Sequence, residues 1–290
     1  MTHVATEIAS QPECWRRALD LAASGPAGLP GPGERVAVIG CGTSLYMAQA
    51  YAVLREEAGL GETDAFAASE FPAVRPYDRV VAITRSGTTT EVLEALDRTS
   101  SRTVAITADP TTPVMRAADD TVVLDFADEK SVVQTRFATT ALALLRAHLG
   151  LAPADLADQG ARALDAPLPQ GATDRRQFTF LGTGWTVGLA NEAALKLREA
   201  AGAWTESYPA MEYRHGPISV TEEHSLVWFF GPSPDGLADQ VTATGAAVSE
   251  ASLDPLADLV RAQRLAVALA ENAGLDPDQP RNLTRSIILS

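Results

Sequence analysis

RVAVIGCGTSLYMAQAYAVLRE, residues 35–56, runs from an apolar stretch through a glycine-bracketed turn into an amphipathic helix. An unbroken apolar run predicts a strand covered on both faces, and burial of both faces is the mark of a parallel sheet. The chain then begins again. QFTFLGTGWTVGLANEAALKLRE, residues 177–199, has the same strand, G-x-G, polar turn and helix. Gly40 and Gly182 are offset by 142 positions, as are Ala48 and Ala190. A period that long is not a solenoid repeat and points to two related lobes in one chain.

The remaining sequence extends this pattern. DRVVAIT (78–84) and RTVAITA (102–108) predict further strands, with TTTEVLEALDR a helix between them and TVVLDF (121–126) a fourth strand. Helices are expected at 12–24, at about 131–149 and within 154–176, where a Pro/Gly-containing linker follows. SLVWFFG (225–231) is a strand, and helices follow at about 236–247 and 255–273. Strands alternating with helices predict an α/β fold, a doubly wound parallel sheet flanked by helices. The expected division is residues 1–153, an N-terminal helix and first lobe, and 154–290, a linker, second lobe and tail.

Composition narrows the function classes. The formal net charge is −14, from 23 basic and 37 acidic residues. Such a surface disfavours nucleic acid and anionic membrane as partners, because both need a basic footprint. No basic segment followed by an apolar run opens the chain, and no apolar stretch approaches the roughly 18 residues of a membrane span. The two cysteines, Cys14 and Cys41, lie far apart and suggest neither a disulfide framework nor a zinc site. A reducing cytoplasm is the expected location.

Two strand-to-helix turns carry candidate chemistry. TRSGTTTE (84–91) holds Arg85, Ser86, Gly87, Thr88 and Thr90, and GCGTS (40–44) holds Gly42, Thr43 and Ser44. Amides at a helix N-terminus point outward unpaired, and neighbouring hydroxyls add donors, so such turns suit a phosphate. The plain alternative for the first is a Ser/Thr cap with Glu91 in the first helical turn. Neither G-x-G is a dinucleotide fingerprint, since the third glycine position is Leu45 in one copy and Val187 in the other. Cys41 reads as a small residue at a close backbone approach rather than as a nucleophile.

On the helix NEAALKLREAAG, Glu192, Lys196 and Glu199 fall at i, i+4 and i+7 and share one face. Taken alone, that stripe is a solvated surface. The apolar neighbours Ala193, Ala194, Leu195 and Leu197 argue instead for burial, where desolvation and a nearby cation act in opposite directions on a glutamate and can tune a general base. His215, in EYRHGP (212–217), follows Glu199 by sixteen residues and stands among polar neighbours ahead of a Gly-Pro stop. It is either a structural histidine or a proton-transfer group.

CGTS, RSGTTTE, EAALKLREAAGAWTESYPAMEYRHGP and the tail DQPRNLTRS together resemble the sugar isomerase (SIS) family. The similarity is to the isomerase half of glucosamine-6-phosphate synthase and its stand-alone relatives, and it spans almost the whole chain. The resemblance implies two SIS lobes, each a flavodoxin-like three-layer sandwich. It implies that Ser86, Gly87, Thr88 and Thr90, with Arg85 beside them, hold a phosphate, and that Gly42, Thr43 and Ser44 line the sugar. Glu199 matches the base that moves a proton between C1 and C2 through an enediol. His215 matches a ring-opening residue that reaches the neighbouring subunit's site, which implies a homodimer. Lys196 and Glu192 match other site-facing positions, and Val132 a sugar-contacting loop.

Three departures qualify that reading. Arg285 stands where the family has a lysine able to form an imine; a guanidinium cannot do so, though it can hold an oxyanion or a carboxylate. Gln134 replaces a sugar-loop serine. No glutaminase segment precedes the first lobe, so glutamine-dependent transfer is not expected. The resulting expectation is an enzyme for aldose–ketose isomerisation of a hexose or amino-hexose phosphate, with or without loss of the amine. Positioned acids, bases and oxyanion donors suffice for that route, so no metal or organic cofactor is expected. The alternatives are a fructosamine-phosphate deglycase, with Arg285 on the carboxylate, and a non-catalytic phosphosugar-binding protein.

Overall fold

A computed structural model describes residues 2–289, and among the described residues the chain forms nine strands and ten helices. In chain order the first elements are α1 (His3–Ala9), α2 (Gln11–Ala23), β1 (Val36–Gly40), α3 (Thr43–Glu57) and β2 (Thr63–Ala67). Next come β3 (Arg79–Ile83), α4 (Thr90–Arg98), β4 (Arg102–Thr107), α5 (Val114–Ala117), β5 (Asp120–Val123) and α6 (Arg136–His148). Then follow α7 (Leu156–Asp165), β6 (Gln177–Gly182), α8 (Thr186–Ala201) and β7 (Thr205–Pro209). The last are β8 (Ser225–Phe230), α9 (Leu237–Ala243), β9 (Ala247–Ser249) and α10 (Pro255–Asn272).

The strands form two sheets, ordered β2-β1-β3-β4-β5 and β7-β6-β8-β9, and every ladder is parallel. The first order is the flavodoxin-like winding, which reverses direction between β1 and β3. Two compact units contain them. The five-stranded unit comprises Glu13–Lys130, Gln134–Ala154 and the tail from Thr284. The four-stranded unit comprises the chain up to Pro12, Ser131–Val133 and Asp155–Leu283. Neither unit is a single run of chain.

Both faces of the central strands are buried, as their unbroken apolar runs require. On β1, β3 and β4, Ile39, Val80, Ala82 and Ala105 share a core with Val92, Ala95 and Leu96 of α4. The alternating residues Val38, Val81, Val104 and Ile106 point to the opposite face and are equally enclosed. In the four-stranded sheet Leu181, Val227 and Phe229 pack with Leu237 and Val241 of α9, while Phe180, Trp228 and Phe230 meet on the other face.

Several boundaries differ from expectation. Three strands absent from the sequence reading, β2, β7 and β9, lie at sheet edges, where mixed sequences such as TDAFA and TESYP give no apolar run. The expected strand 121–126 stops at Val123, and Asp125–Ala127 forms a short helical turn. Helix α6 starts at Arg136 rather than near 131, because the Glu129 carboxylate accepts the Thr135 and Arg136 amides and so caps the helix there. The helix expected to reach 247 ends at Ala243, since Gly245 turns the chain and Ala247–Ser249 joins β8.

Candidate active site

The expected site residues fall into two sets, one in each unit. In the five-stranded unit the set is built on the carboxyl ends of β1 and β3, which flank the point where the strand order reverses. Gly40 closes β1, and a Cβ there would lie 2.6 Å from the Ser44 carbonyl carbon, so only glycine lets α3 start this close to the strand. Thr43 and Ser44 are buried behind it. After β3, the buried Arg85 and Ser86 precede Gly87, whose carbonyl accepts the Val114 amide at 3.1 Å. The Thr88 hydroxyl donates to Ser86 Oγ at 3.0 Å, and Thr90 opens α4. The tail lies on this turn: Ser286 Oγ is 2.9 Å from Thr88 Oγ1, and the Ile287 carbonyl accepts the Thr90 amide at 3.2 Å.

Arg285 is already engaged. It donates to the Asp128 carboxylate at 2.6 Å and to the Glu129 carbonyl oxygen. Gln134 is half-buried with its Oε1 enclosed, and that oxygen has no hydrogen-bond partner among the described residues. The Cys41 thiol is pushed above its ordinary value by burial and, after that, by the Glu91 carboxylate, against a hydrogen bond with the Ala68 backbone. A thiol held protonated is no nucleophile.

In the four-stranded unit, Gly182 ends β6 as Gly40 ends β1, and a Cβ there would press on the Thr186 carbonyl. Helix α8 carries Glu192, Lys196 and Glu199 on one face, and that face is buried. Glu192 and Lys196 side chains are each 1% exposed, against 18% for Glu199. Lys196 Nζ lies 3.5 Å from Glu192 Oε1 and pairs closely with Glu199 Oε2. The solvated-stripe alternative is therefore wrong for these three residues. Arg198 points elsewhere and donates to Thr205 Oγ1 at 2.9 Å. Glu199 is the member of the set with an open side.

A cavity of about 220 Å³ adjoins Glu199, lined also by Arg198, Gly202, Asp276, Gln279 and Arg281. Gln279 and Arg281 were not expected there, although both belong to the DQPRN stretch that contributes to the family resemblance. Val132 belongs to the four-stranded unit, with Ser131 and Val133. His215 ends a short helical turn, Ala210–His215, and is exposed. The turn is anchored by its neighbour Tyr213, which is fully buried with its hydroxyl on that of Thr221. Gly216, at φ 140°, then breaks the chain direction.

Among the described residues no helix is long and apolar enough to cross a membrane. The family model of the SIS domain matches residues 32–149, a span that contains the whole five-stranded sheet, the glycine-bracketed turn at 40–44 and the Ser/Thr turn at 84–91. Beyond that match, the chain is similar to a glutamine–fructose-6-phosphate aminotransferase (isomerizing) of Thermus thermophilus, with 29% identity over 88% of this chain and 52% of the relative. The same enzyme of Aeropyrum pernix is 29% identical over 90% of this chain and 52% of its own length. The chain thus spans about half the length of these curated relatives. Among solved structures, the glucosamine-6-phosphate deaminase of Thermotoga maritima aligns with a TM-score of 0.82 at 24% identity, covering 99% of this chain and 100% of that one. The tagatose-6-phosphate ketose/aldose isomerase of Escherichia coli gives 0.79 at 21% identity, covering 100% and 96%. Both likenesses extend past residues 32–149 to the four-stranded unit and show its fold.

Proposed function

We propose that the chain is a phosphosugar isomerase, interconverting the aldose and ketose forms of a hexose or amino-hexose 6-phosphate, with or without loss of the amine. The observation that carries this reading is the buried Glu192–Lys196–Glu199 set. A lysine enclosed between two carboxylates, one with an open side, is a poor device for stability and a good one for moving a proton beside a fixed positive charge. The similar proteins are named for action on fructose-6-phosphate, glucosamine-6-phosphate and tagatose-6-phosphate, which supports the substrate class.

In this reading the four-stranded unit is a second SIS lobe. Ser86, Gly87 and Thr88 take the phosphate through hydroxyls and amides, joined by Thr90 once the tail contacts of Ile287 and Leu289 with it are released, and Gly42, Thr43 and Ser44 line the sugar. Glu199 transfers the proton between C1 and C2. Lys196, enclosed beside Glu199, supplies a fixed positive charge that favours the enediolate electrostatically, while the Arg285 guanidinium serves Asp128 and Glu129. The enclosed Gln134 oxygen accepts from a sugar hydroxyl, with Val132 as an apolar contact. His215 is the ring-opening acid–base, and its exposure suits donation to the site of a second copy in a homodimer. Arg285's engagement weighs against the deglycase alternative, in which it would have to hold a carboxylate.

A panel of hexose and amino-hexose 6-phosphates in deuterated water, followed by NMR, tests the proposal. Deuterium at C2 of at least one sugar, with the partner ketose or aldose appearing, is expected; ammonia release separates deaminating from simple isomerisation. Binding of a sugar phosphate with no C2 exchange would leave a binding protein and sink the isomerase.

A further inference from the structure

Arg85 stands between β3 and the Ser/Thr turn, where an arginine beside an anionic substrate invites the role of phosphate ligand. Its surroundings say otherwise. The side chain is 1% exposed and its Nη1 lies 3.6 Å from Oε2 of Glu129, whose side chain is 0% exposed. Its Nη2 donates to the Arg285 carbonyl at 3.0 Å. The second Glu129 oxygen accepts the Thr135 and Arg136 amides at 2.6 and 2.8 Å. Arg285 closes the ring by donating to the Glu129 carbonyl and the Asp128 carboxylate. Past it the tail keeps register with the turn, Ser286 against Thr88 and the Leu289 amide donating to Thr90 Oγ1 at 2.9 Å.

We propose that Arg85 is a positioning residue that ties the tail and Glu129 to the anion turn, and is not a ligand of the substrate phosphate. The inference rests on the phosphosugar reading above. The charge of Arg85 is already balanced by a buried carboxylate. Drawing the guanidinium to a phosphate would leave Glu129 buried without its cation, a costly exchange. The turn therefore binds its anion through amides and hydroxyls, and the guanidinium fixes the chain segments around it.

The test pairs calorimetry with inorganic phosphate and hydrogen–deuterium exchange of peptides covering 284–289. It is run on the full chain, on Arg85→Gln, and on the charge-balanced Arg85→Gln/Glu129→Gln variant, which remains readable if the single variant fails to fold. Tail amides are expected to exchange about tenfold faster or more in the double variant. The phosphate Kd is expected to stay within about threefold of wild type. A Kd weakened about tenfold or more, or tail exchange unchanged, overturns the proposal. If wild type binds no phosphate, the phosphosugar reading is what fails, and the exchange measurement still decides the role of Arg85.

Discussion

Helices α3 and α8 follow the same strand, glycine and turn, offset by 142 positions, yet their buried faces are filled by different chemistry. Where α8 carries Glu192 and Lys196, α3 carries Ala50 and Leu54, and all four are buried. The third position holds Glu199 in α8 and the exposed Glu57 in α3. Alanine and leucine are what packing alone selects at these places. A buried ion pair gains stability only as far as attraction offsets desolvation, and apolar residues of similar volume often do better. The contrast sets apolar side chains at these positions of α3 against charged ones at the same positions of α8.

The largest effect expected from breaking that contrast is at Lys196. Lys196→Met leaves the enclosed Glu192 carboxylate without its cation and should cost about 3–5 kcal/mol. Glu192→Gln/Lys196→Met, which removes both charges, should recover most of that loss in urea denaturation. A double variant no more stable than the single one would mean that the charges on α8 are structural after all.

The shared plan can be tested at its hinge. Gly40→Ala and Gly182→Ala each set a methyl against backbone of the helix that follows, and each should cost about 1–3 kcal/mol. Calorimetric melting of the two variants checks this. A neutral effect at either site would show that the two strand–helix junctions are not built alike.

A smaller effect sharpens the comparison from the side of ordinary ion pairs. Glu34 and Arg79 pair at 2.8 Å in a partly exposed setting. The Arg79 hydrogen bond, opposed by burial and helped by the Gly31 amide, holds the Glu34 carboxyl below its usual value of 4.5. A folded-state value below the unfolded one means that the pair's contribution is complete above about pH 4.5 and fades as pH falls through the lowered value. Glu34→Gln should therefore cost about 1 kcal/mol or less at pH 7, with the difference from wild type vanishing in acid. A difference that persists at low pH would assign the effect to packing.

How much of this was legible depended on whether a signal is local. The runs VAVIG, VVAI and SLVWFF announce central strands because burial on both faces leaves no polar position. TESYP and AVS, strands at the two edges of their sheet, carry no such mark. The common face of Glu192, Lys196 and Glu199 follows from helical spacing, but its burial does not, because that depends on the elements packed over it. The spacing was equally compatible with a surface stripe. The engagement of Arg285 with Asp128 and Glu129 joins residues 157 and 156 positions apart, which no pattern in the tail reveals.

The central claim is that the charged face of α8 moves a proton on a sugar phosphate, and solvent exchange at C2 in deuterated water measures that directly. With a sugar phosphate that wild type exchanges, Glu199→Gln should slow C2 deuteration by about 10²–10⁴-fold while inorganic phosphate binding is unchanged. Exchange as fast as wild type in that variant would contradict the assignment of Glu199 as the base.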